Sequence, residues 1–195
     1  LGYRTTISNK LYLDLSAYYS WYTNFIGYKI GADVDTFQVP IIFPPFTYTD
    51  LRFNNVVRVA SNAEDKVTTR GVTVGLNYYI GRHLALITNY SYNLLDKLGS
   101  DDPLIPAFNT PEHKFNIGFN GRDMRSFSFN INYKWIDGFR YEGSPQFTGD
   151  IESYGVVDAQ VNYKFLGDKL VFKLGSSNLL DNQHYEVYGG PLVGR

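Results

Sequence analysis

The sequence alternates apolar and polar residues with a period of two over most of its length. Between Leu11 and Tyr22, apolar and aromatic residues occupy the odd positions, and tyrosine, aspartate and serine occupy the even ones. Side chains on a β-strand point alternately to opposite faces, so this pattern predicts a strand with one apolar and one polar face. The pattern recurs in segments 72–80, 115–120, 126–135, 157–165 and 170–175. The chain is therefore predicted to be all-β.

The aromatic content indicates where the apolar faces lie. Aromatic residues make up 17% of the chain and charged residues 19%, which is below the roughly 25% of soluble domains. Transmembrane β-barrels place aromatic residues at both membrane interfaces and alternate lipid-facing with lumen-facing side chains. We therefore expect the apolar faces to meet lipid. The aromatic residues that gather toward one end of their strands are Tyr19, Trp21, Tyr90, Tyr92, Tyr133 and Trp135.

Short and long connections alternate along the chain. The short ones lie at 8–10, 81–82, 121–125 and 167–169, and the long ones at 31–55, 97–111 and 142–153. Outer-membrane barrels have short periplasmic turns and long extracellular loops, so we place the short turns in the periplasm. We expect about eight strands, the last spanning 170–188. Segments 10–30 and 56–80 are about twice the roughly 9–11 residues of a membrane crossing, which predicts strands that extend beyond the outer leaflet.

Several protein classes are disfavoured by the composition. The chain has no cysteine, which excludes disulfides and thiol chemistry, and its net charge of -1 does not favour nucleic acid. No apolar run reaches the roughly 18 residues of a transmembrane helix, and the first residues do not resemble a signal peptide. His83, His113 and His184 lack metal-ligand spacing, and no catalytic or phosphate-binding motif occurs. We expect no catalysis, metal or cofactor; an iron or haem role for His113 is the less favoured alternative.

Two motifs carry a resemblance to a known family. An Asn-Leu-Leu-Asp run at 178–181 precedes a tyrosine, Gly-Pro and Gly-Arg, and residues 109–115 contain a Pro-x-His sequence before a strand. Together with the strand rhythm, they resemble the C-terminal barrel portion of TonB-dependent outer-membrane receptors, in a style similar to those of the Bacteroidetes. In that family the Asn-Leu-Leu-Asp segment lies in the penultimate strand. The matching residues are Asn178, Leu179, Asp181, Tyr185, Gly194 and Arg195.

The resemblance implies an architecture and a function. Residues 1–195 would form the C-terminal part, about eight strands, of a 22-stranded antiparallel transmembrane barrel, with the plug domain, earlier strands and last strand outside this chain. The resemblance also implies substrate capture by extracellular loops, and energy from the TonB complex through a periplasmic TonB box. The substrate stays open among siderophore-iron, haem, cobalamin, glycans and peptides.

Two sets of residues are candidates for a functional site. The loop 39–48 is unusually apolar for a solvated segment, and exposed apolar patches usually mark contacts. We therefore predict substrate contacts at Phe43, Phe46, Tyr48 and Arg52, with docking on a partner protein or packing against neighbouring loops as alternatives. The second set occupies the polar faces and would contact plug or substrate, although solvation of the lumen explains it more simply. Its members are Asp14, Lys134, Asp158, Lys164 and Lys173.

The sequence leaves two rival interpretations open. A barrel of the same lineage could serve as a structural or accessory subunit of an outer-membrane complex, for example with a lipoprotein partner. A soluble lipocalin-like barrel would instead turn its apolar face inward. Burial separates this last alternative from a membrane barrel, because only the soluble barrel would enclose Leu13, Val74, Phe129 and Val161.

Overall fold

The computed structural model describes residues 1–40, 47–97, 102–144, 146–167 and 169–195. Eight of its strands form one antiparallel sheet in the order β1-β2-β5-β6-β7-β8-β11-β12, and β3–β4 and β9–β10 form two separate hairpins. The described residues contain no helix that is long and apolar enough to span a membrane. The prediction of an all-β fold with about eight wall strands is confirmed. The strands are β1 Gly2–Ile7, β2 Leu11–Tyr22, β3 Ile26–Pro40, β4 Thr47–Asn62, β5 Val67–Ile80, β6 Leu84–Lys97, β7 His113–Met124, β8 Phe127–Ile136, β9 Phe139–Glu142, β10 Thr148–Ile151, β11 Tyr154–Phe165 and β12 Leu170–Ser176.

The short connections all lie at one end of the sheet. They join β1 to β2, β5 to β6, β7 to β8 and β11 to β12, and several of their residues adopt positive φ, including Asn9 at 51° and Gly81 at 66°. Such angles are typical of tight turns. The connections at the other end contain the two hairpins and residues 102–112. We call the end with the short connections the inner end of the sheet, and the opposite end the outer end.

Two predicted long strands are each divided into two. Segment 10–30 bends at residues 23–25, where Asn24 has a φ of 56°, and segment 56–80 bends at 63–66. Beyond the bends, β3 and β4 leave the main sheet and pair only with each other, so most of the predicted loop 31–55 is strand. At about 3.3 Å per residue, the 15 residues of β3 extend roughly 50 Å.

The last strand is also shorter than predicted. β12 ends at Ser176 rather than at residue 188, and Asn178 and Asp181 have φ values of 46° and 53°. A left-handed backbone cannot continue a strand. The Asn-Leu-Leu-Asp motif therefore forms a turn, which corrects the expectation that it lies in the penultimate strand.

The register assigns side chains to two faces of the sheet, because directly paired residues of antiparallel strands point to the same side. One row across the sheet is apolar or aromatic except for one threonine, and the adjacent row is mainly polar. The first row is Leu13, Leu76, Thr88, Ile117, Tyr133 and Val157. The second row is Asp14, Gly75, Asn89, Asn116, Lys134 and Val156.

The apolar face of the sheet is not covered by protein. Ile117 is 42% exposed and Ile131 47% exposed, and none of Leu13, Val74, Phe129 and Val161 is buried. The lipocalin-like interpretation needs these side chains inside, so the structure contradicts it. An uncovered apolar wall of this extent requires an apolar solvent. The buried apolar residues among those described are Tyr28, Ala63, Val67, Leu104, Ile151, Tyr154 and Val156, and none lies on the apolar face.

Two aromatic belts border the apolar face. The outer belt contains the stacked pair Phe115 and Trp135, whose ring centroids are 5.3 Å apart, and all six residues expected at the strand ends. An inner belt, which the sequence analysis missed, contains Tyr78, Phe119, Phe127, Phe129, Tyr163, Phe165 and Phe172. From Phe127 to Trp135 the strand extends roughly 26 Å, on the scale of the apolar band of outer-membrane barrels, about 25 Å tall.

A lysine on the apolar face should destabilise the barrel. We expect Leu76→Lys to lower the free energy of unfolding by about 2–4 kcal/mol, the cost of a lysine near the bilayer midplane. The adjacent Asn77→Lys points to the other face and should cost less than about 1 kcal/mol. Equilibrium unfolding of the whole barrel from lipid vesicles measures both, and equal losses would contradict the assignment of faces.

Candidate functional site

The buried core lies at the outer end of the sheet, on its polar face. One cluster contains Ala63, Val67 and Leu104, against which Phe25 and Leu95 pack. The other contains Ile151, Tyr154 and Val156, with Ile136, Phe139 and Tyr141 packed around them. The outer connections therefore fold over the polar face instead of extending into solvent. We call the assembly of the β3–β4 base, residues 102–112, the β9–β10 hairpin and residues 177–195 the outer rim.

Tyr28 anchors the β3–β4 hairpin to the rest of the outer rim. Its backbone exchanges hydrogen bonds with that of Ile105, at 3.1 and 2.8 Å. The guanidinium carbon of Arg58 lies 3.6 Å from the centroid of the Tyr28 ring, and Arg58 also donates to the carbonyl of Gly143. A side chain at Gly27 would clash, since its Cβ would lie 2.5 Å from the Ile105 oxygen. Tyr28 and Arg58 together thus connect the β3–β4 hairpin with Ile105 and with Gly143.

A second polar contact joins residues 102–112 to the hairpin base. The Asp102 carboxylate is buried and accepts hydrogen bonds from the backbone amides of Glu64, at 3.1 Å, and Leu104, at 3.0 Å. The ammonium of Lys29 lies 2.7 Å from Glu64 and 3.8 Å from Asp102. The hydrogen bond to Glu64, and then the negative charges of both carboxylates, raise the pKa of Lys29 above its ordinary value despite partial desolvation.

A first cavity of about 380 Å³ lies between residues 102–112 and β9. Asn109 joins its two walls by exchanging hydrogen bonds with the backbone of Glu142, at 3.2 and 2.7 Å, and the Glu142 carboxylate accepts from the Ala107 backbone amide at 3.0 Å. Its wall combines aromatic, amide and carboxylate side chains. Its lining side chains include Asn93, Phe108, Glu112, Asp137, Phe139 and Arg140.

The family-motif residues hold residues 177–195 against β11. The Asn178 side chain spans the turn: its Nδ2 donates to the backbone carbonyl of Asn182, and its Oδ1 accepts from the backbone N–H of Asn182, both at 2.9 Å. The backbone N–H of Asn178 donates to the Asp158 carboxylate at 2.9 Å. The Leu179 amide continues the ladder by donating to the Val157 carbonyl at 2.6 Å. The role of these residues is thus to fix a turn at the outer rim.

The remaining motif residues close the same turn from the far side. Asp181 accepts a hydrogen bond from the Arg195 amide at 2.8 Å, and the Arg195 guanidinium lies 3.4 Å from the Leu179 carbonyl oxygen. A Cβ at Gly194 would lie 3.2 Å from the Asp181 carboxylate, so a small residue suits this position. Tyr185 is 49% exposed and faces a second cavity.

The second cavity, about 730 Å³, lies between residues 177–195 and the start of β11. At its wall the buried rings of His184 and Tyr154 stack, with centroids 4.0 Å apart and planes 17° apart. His184 Nδ1 lies 3.0 Å from the Asn182 carbonyl oxygen, to which it donates, and Nε2 lies 3.7 Å from the Glu186 carboxylate. The sequence analysis missed this pair, although proximity of His184 to the motif was an available signal.

The predicted loop residues lie partly outside the described ranges. Phe43 and Phe46 fall within 41–46, which the structure does not describe. Tyr48 pairs with Val39 in the β3–β4 hairpin, and Arg52, whose side chain is exposed, pairs with Asp35. The substrate-contact prediction for these four residues therefore stays a prediction.

The five predicted wall residues share the polar face but do not form a cluster. Asp14 forms an ion pair with Arg4 at 2.8 Å, and Lys164 forms one with Asp123 at 3.1 Å. Asp158 accepts from the Asn178 amide, so part of its hydrogen-bonding capacity is used within the chain. Lys134 pairs in register with Asn116, and Lys173 with Asn162.

The other two histidines occupy separate places. His83 Nδ1 lies 3.0 Å from the Arg122 carbonyl oxygen at the inner end. His113 Nδ1 lies 2.7 Å from the Tyr90 hydroxyl, and its ring lies 5.0 Å from that of Tyr92 in the outer belt. Across the described ranges, no group of three or more histidine, aspartate or glutamate side chains could hold a metal ion.

The fold and rim define a class of protein: an outer-membrane β-barrel wall with an apolar lipid-facing surface and loops folded over its outer mouth. The family model described as TonB dependent receptor-like, beta-barrel, matches residues 1–179. The chain therefore belongs to the TonB-dependent receptor family and lies in the outer membrane, as its motifs predicted. This is a family of receptors and transporters rather than a class of enzymes.

Solved structures share this fold at low sequence identity. The FrpB iron transporter from Neisseria meningitidis is 16% identical with a TM-score of 0.62, over 100% of this chain and 26% of that one. The copper transporter OprC is 15% identical with a TM-score of 0.65, over 96% and 25%. The siderophore receptor PirA from Acinetobacter baumannii is 17% identical with a TM-score of 0.57, over 93% and 27%. The chain spans about a quarter of these structures, and no curated protein sequence matches it.

Removal of the Arg58 guanidinium should loosen the hairpin base. We expect Arg58→Ala to speed amide hydrogen exchange at Tyr28 and Ile105 roughly fivefold, corresponding to about 1 kcal/mol for an exposed cation–π contact. Arg52→Ala removes an arginine from the same hairpin without touching Tyr28, and should leave exchange at the base unchanged. Equal changes of hydrogen exchange in the two variants would show that Arg58 does not hold the hairpin base against the rest of the outer rim.

The Asn178 side chain should determine the order of residues 177–195. We expect Asn178→Ala to destabilise this segment by about 1–3 kcal/mol, because it unpairs two backbone groups and places alanine at positive φ. Asn182→Ala keeps both backbone partners and should have little effect. Limited proteolysis of the whole barrel in detergent, followed by mapping of the cleavage sites, measures the difference.

Proposed function

We propose that the chain is part of an outer-membrane transporter that takes up a scarce nutrient by TonB-dependent transport, without covalent chemistry. The observation that carries the proposal is the combination of a lipid-facing wall with an outer rim that folds over its polar face and forms two open, ligand-sized cavities. Family membership supports it, as do fold neighbours described as iron, copper and siderophore proteins. The plug, the TonB box and the TonB complex would be supplied by the rest of the protein and the cell.

The polar face is a suitable surface for a plug. Asn89, Asn116 and Lys134 lie side by side across β6, β7 and β8. Within the described residues, Asn116 Oδ1 is buried without a hydrogen-bond partner. Buried polar atoms are rarely left unpaired, because desolvation costs free energy. A donor from the plug, or a water between plug and wall, would satisfy this oxygen.

Substrate capture is assigned to the outer rim. Its loops are joined to one another through Tyr28, Asp102 and Asn109, so the cavity walls are held in place before a ligand arrives. Such preorganisation lowers the entropic cost of binding. The apolar segment with Phe43 and Phe46, followed by Tyr48 and Arg52, would contribute further contacts.

A structural or accessory subunit is the second candidate. The β3–β4 hairpin favours it, because Val56, Val57 and Val59 are each at least 50% exposed and Ile30 is 45% exposed. An isolated two-stranded ribbon is marginally stable in water, so a partner protein such as an outer-membrane lipoprotein could cover it. Purification of the whole protein in mild detergent tests this: a stoichiometric partner that persists without ligand or TonB would favour the accessory role.

Dependence on TonB tests the transport proposal. Cells that express the whole protein would be grown on panels of sole iron and sole carbon sources, with TonB intact or deleted. We expect at least one nutrient to support growth only with both the receptor and TonB, with at least tenfold less accumulation when either is missing. Accumulation that is equal in the presence and absence of TonB would refute TonB-driven uptake.

A further inference from the structure

The two rim cavities are poor in positive charge. Among the residues that the structure describes, the second cavity is lined by no lysine or arginine, and the first only by Arg140, whose guanidinium lies 3.6 Å from Asp150. The linings carry carboxylates and amides instead, together with Tyr154, His184, Tyr185 and Tyr188 in the second cavity. An anionic ligand, such as a catecholate chelate of iron, would be desolvated beside carboxylates with few compensating cations, which is unfavourable.

The second cavity has an aromatic wall that is held in position. A Cβ at Gly149 would lie 2.1 Å from the Tyr188 ring, so the ring packs directly on the Gly149 backbone while 40% of Tyr188 stays exposed. Phe147 packs in the same way on Gly189, where a Cβ would lie 2.4 Å from the ring. Tyr185 is 49% exposed, so two tyrosine rings offer surface to a ligand.

Polar side chains with free hydrogen-bonding capacity surround these rings. Across the part of the chain that the structure describes, the side chains of Glu152, Asn182 and Gln183 make no hydrogen bond to the protein. A carboxylate accepts hydrogen bonds and an amide both donates and accepts, so together they match a ligand rich in hydroxyl groups. The described carboxylates and histidines are not grouped as a metal site would require.

We propose that the outer rim binds a neutral, hydroxyl-rich ligand of the saccharide class, with the second cavity as its principal subsite. The exposed faces of Tyr185 and Tyr188 take the C–H surfaces of a sugar ring, since aromatic faces carry partial negative charge. Glu152, Asn182 and Gln183 take its hydroxyls. A volume of about 730 Å³ accommodates a short oligosaccharide. This inference deepens the proposed transport function and rests on it.

The test uses the whole receptor that contains this chain, purified in detergent. An array of neutral oligosaccharides, including fragments of glucans, xylans and mannans, is screened, and hits are measured by calorimetry beside ferric tris-catecholate and hexalysine. We expect a neutral oligosaccharide to bind and both charged probes to fail. Gly149→Ala should weaken binding at least tenfold, because its methyl group displaces Tyr188; Tyr185→Ala, at an exposed position, should also weaken it.

A matched control separates the site from general effects of glycine replacement. In Gly31→Ala, the added Cβ would lie 3.4 Å from the nearest Val57 methyl, an ordinary contact, so affinity should not change. Failure of every neutral oligosaccharide to bind, or binding that is indifferent to both Gly149→Ala and Tyr185→Ala, would overturn the inference. If TonB-dependent uptake of ferric tris-catecholate were then observed, the transport proposal would still hold. Oligosaccharide binding without TonB-dependent uptake would instead contradict the transport proposal and leave the saccharide site intact.

Discussion

The pairing of backbone groups in a medium without water is the constraint on which the rest of this structure depends. In hydrocarbon each unpaired amide or carbonyl costs several kcal/mol, so a spanning segment must satisfy its backbone within a helix or a sheet. Here the eight-stranded antiparallel sheet does so for β2, β5, β6, β7, β8 and β11, which have a paired neighbour on each side. Once the ladder is fixed, side-chain alternation decides everything else about the wall: Leu13 and its row face lipid, and Asp14 and its row face the interior.

The apolar side chains of the sheet are exposed in this chain, whereas a soluble protein would bury them in its core. The wall needs no core, because lipid supplies the apolar surroundings, and its apolar side chains remain uncovered by protein. Tight packing occurs instead where the outer segments fold onto the polar face, around Leu104 and Tyr154. The rim is therefore the part of the molecule that behaves as a small water-facing domain, with hydrogen-bonded carboxylates and stacked rings.

Local periodicity explains how much the sequence could reveal. The strands and their faces follow from a period of two, and the structure agrees with them, whereas most of the predicted loop 31–55 is strand. The bends at 23–25 and 63–66 were missed because apolar and polar residues alternate on both sides of each bend. The change of pairing partner, from the main sheet to the β3–β4 hairpin, therefore leaves no mark on the period of two. The turn at Asn178 was assigned to a strand through the family resemblance. Contacts such as Tyr154 with His184 join residues 30 positions apart, and only the tertiary structure brings them together.

The inner turns have an evolutionary consequence. They are only a few residues long, and one added residue would shift the register of the following strand and exchange its two faces. Asp14 on β2, Lys134 on β8 or Lys173 on β12 would then project into the bilayer. At the opposite end, the same insertion is absorbed by connections that are already irregular. Length variation among descendants of this chain should therefore accumulate outside the cell, which is the side where new ligands are met.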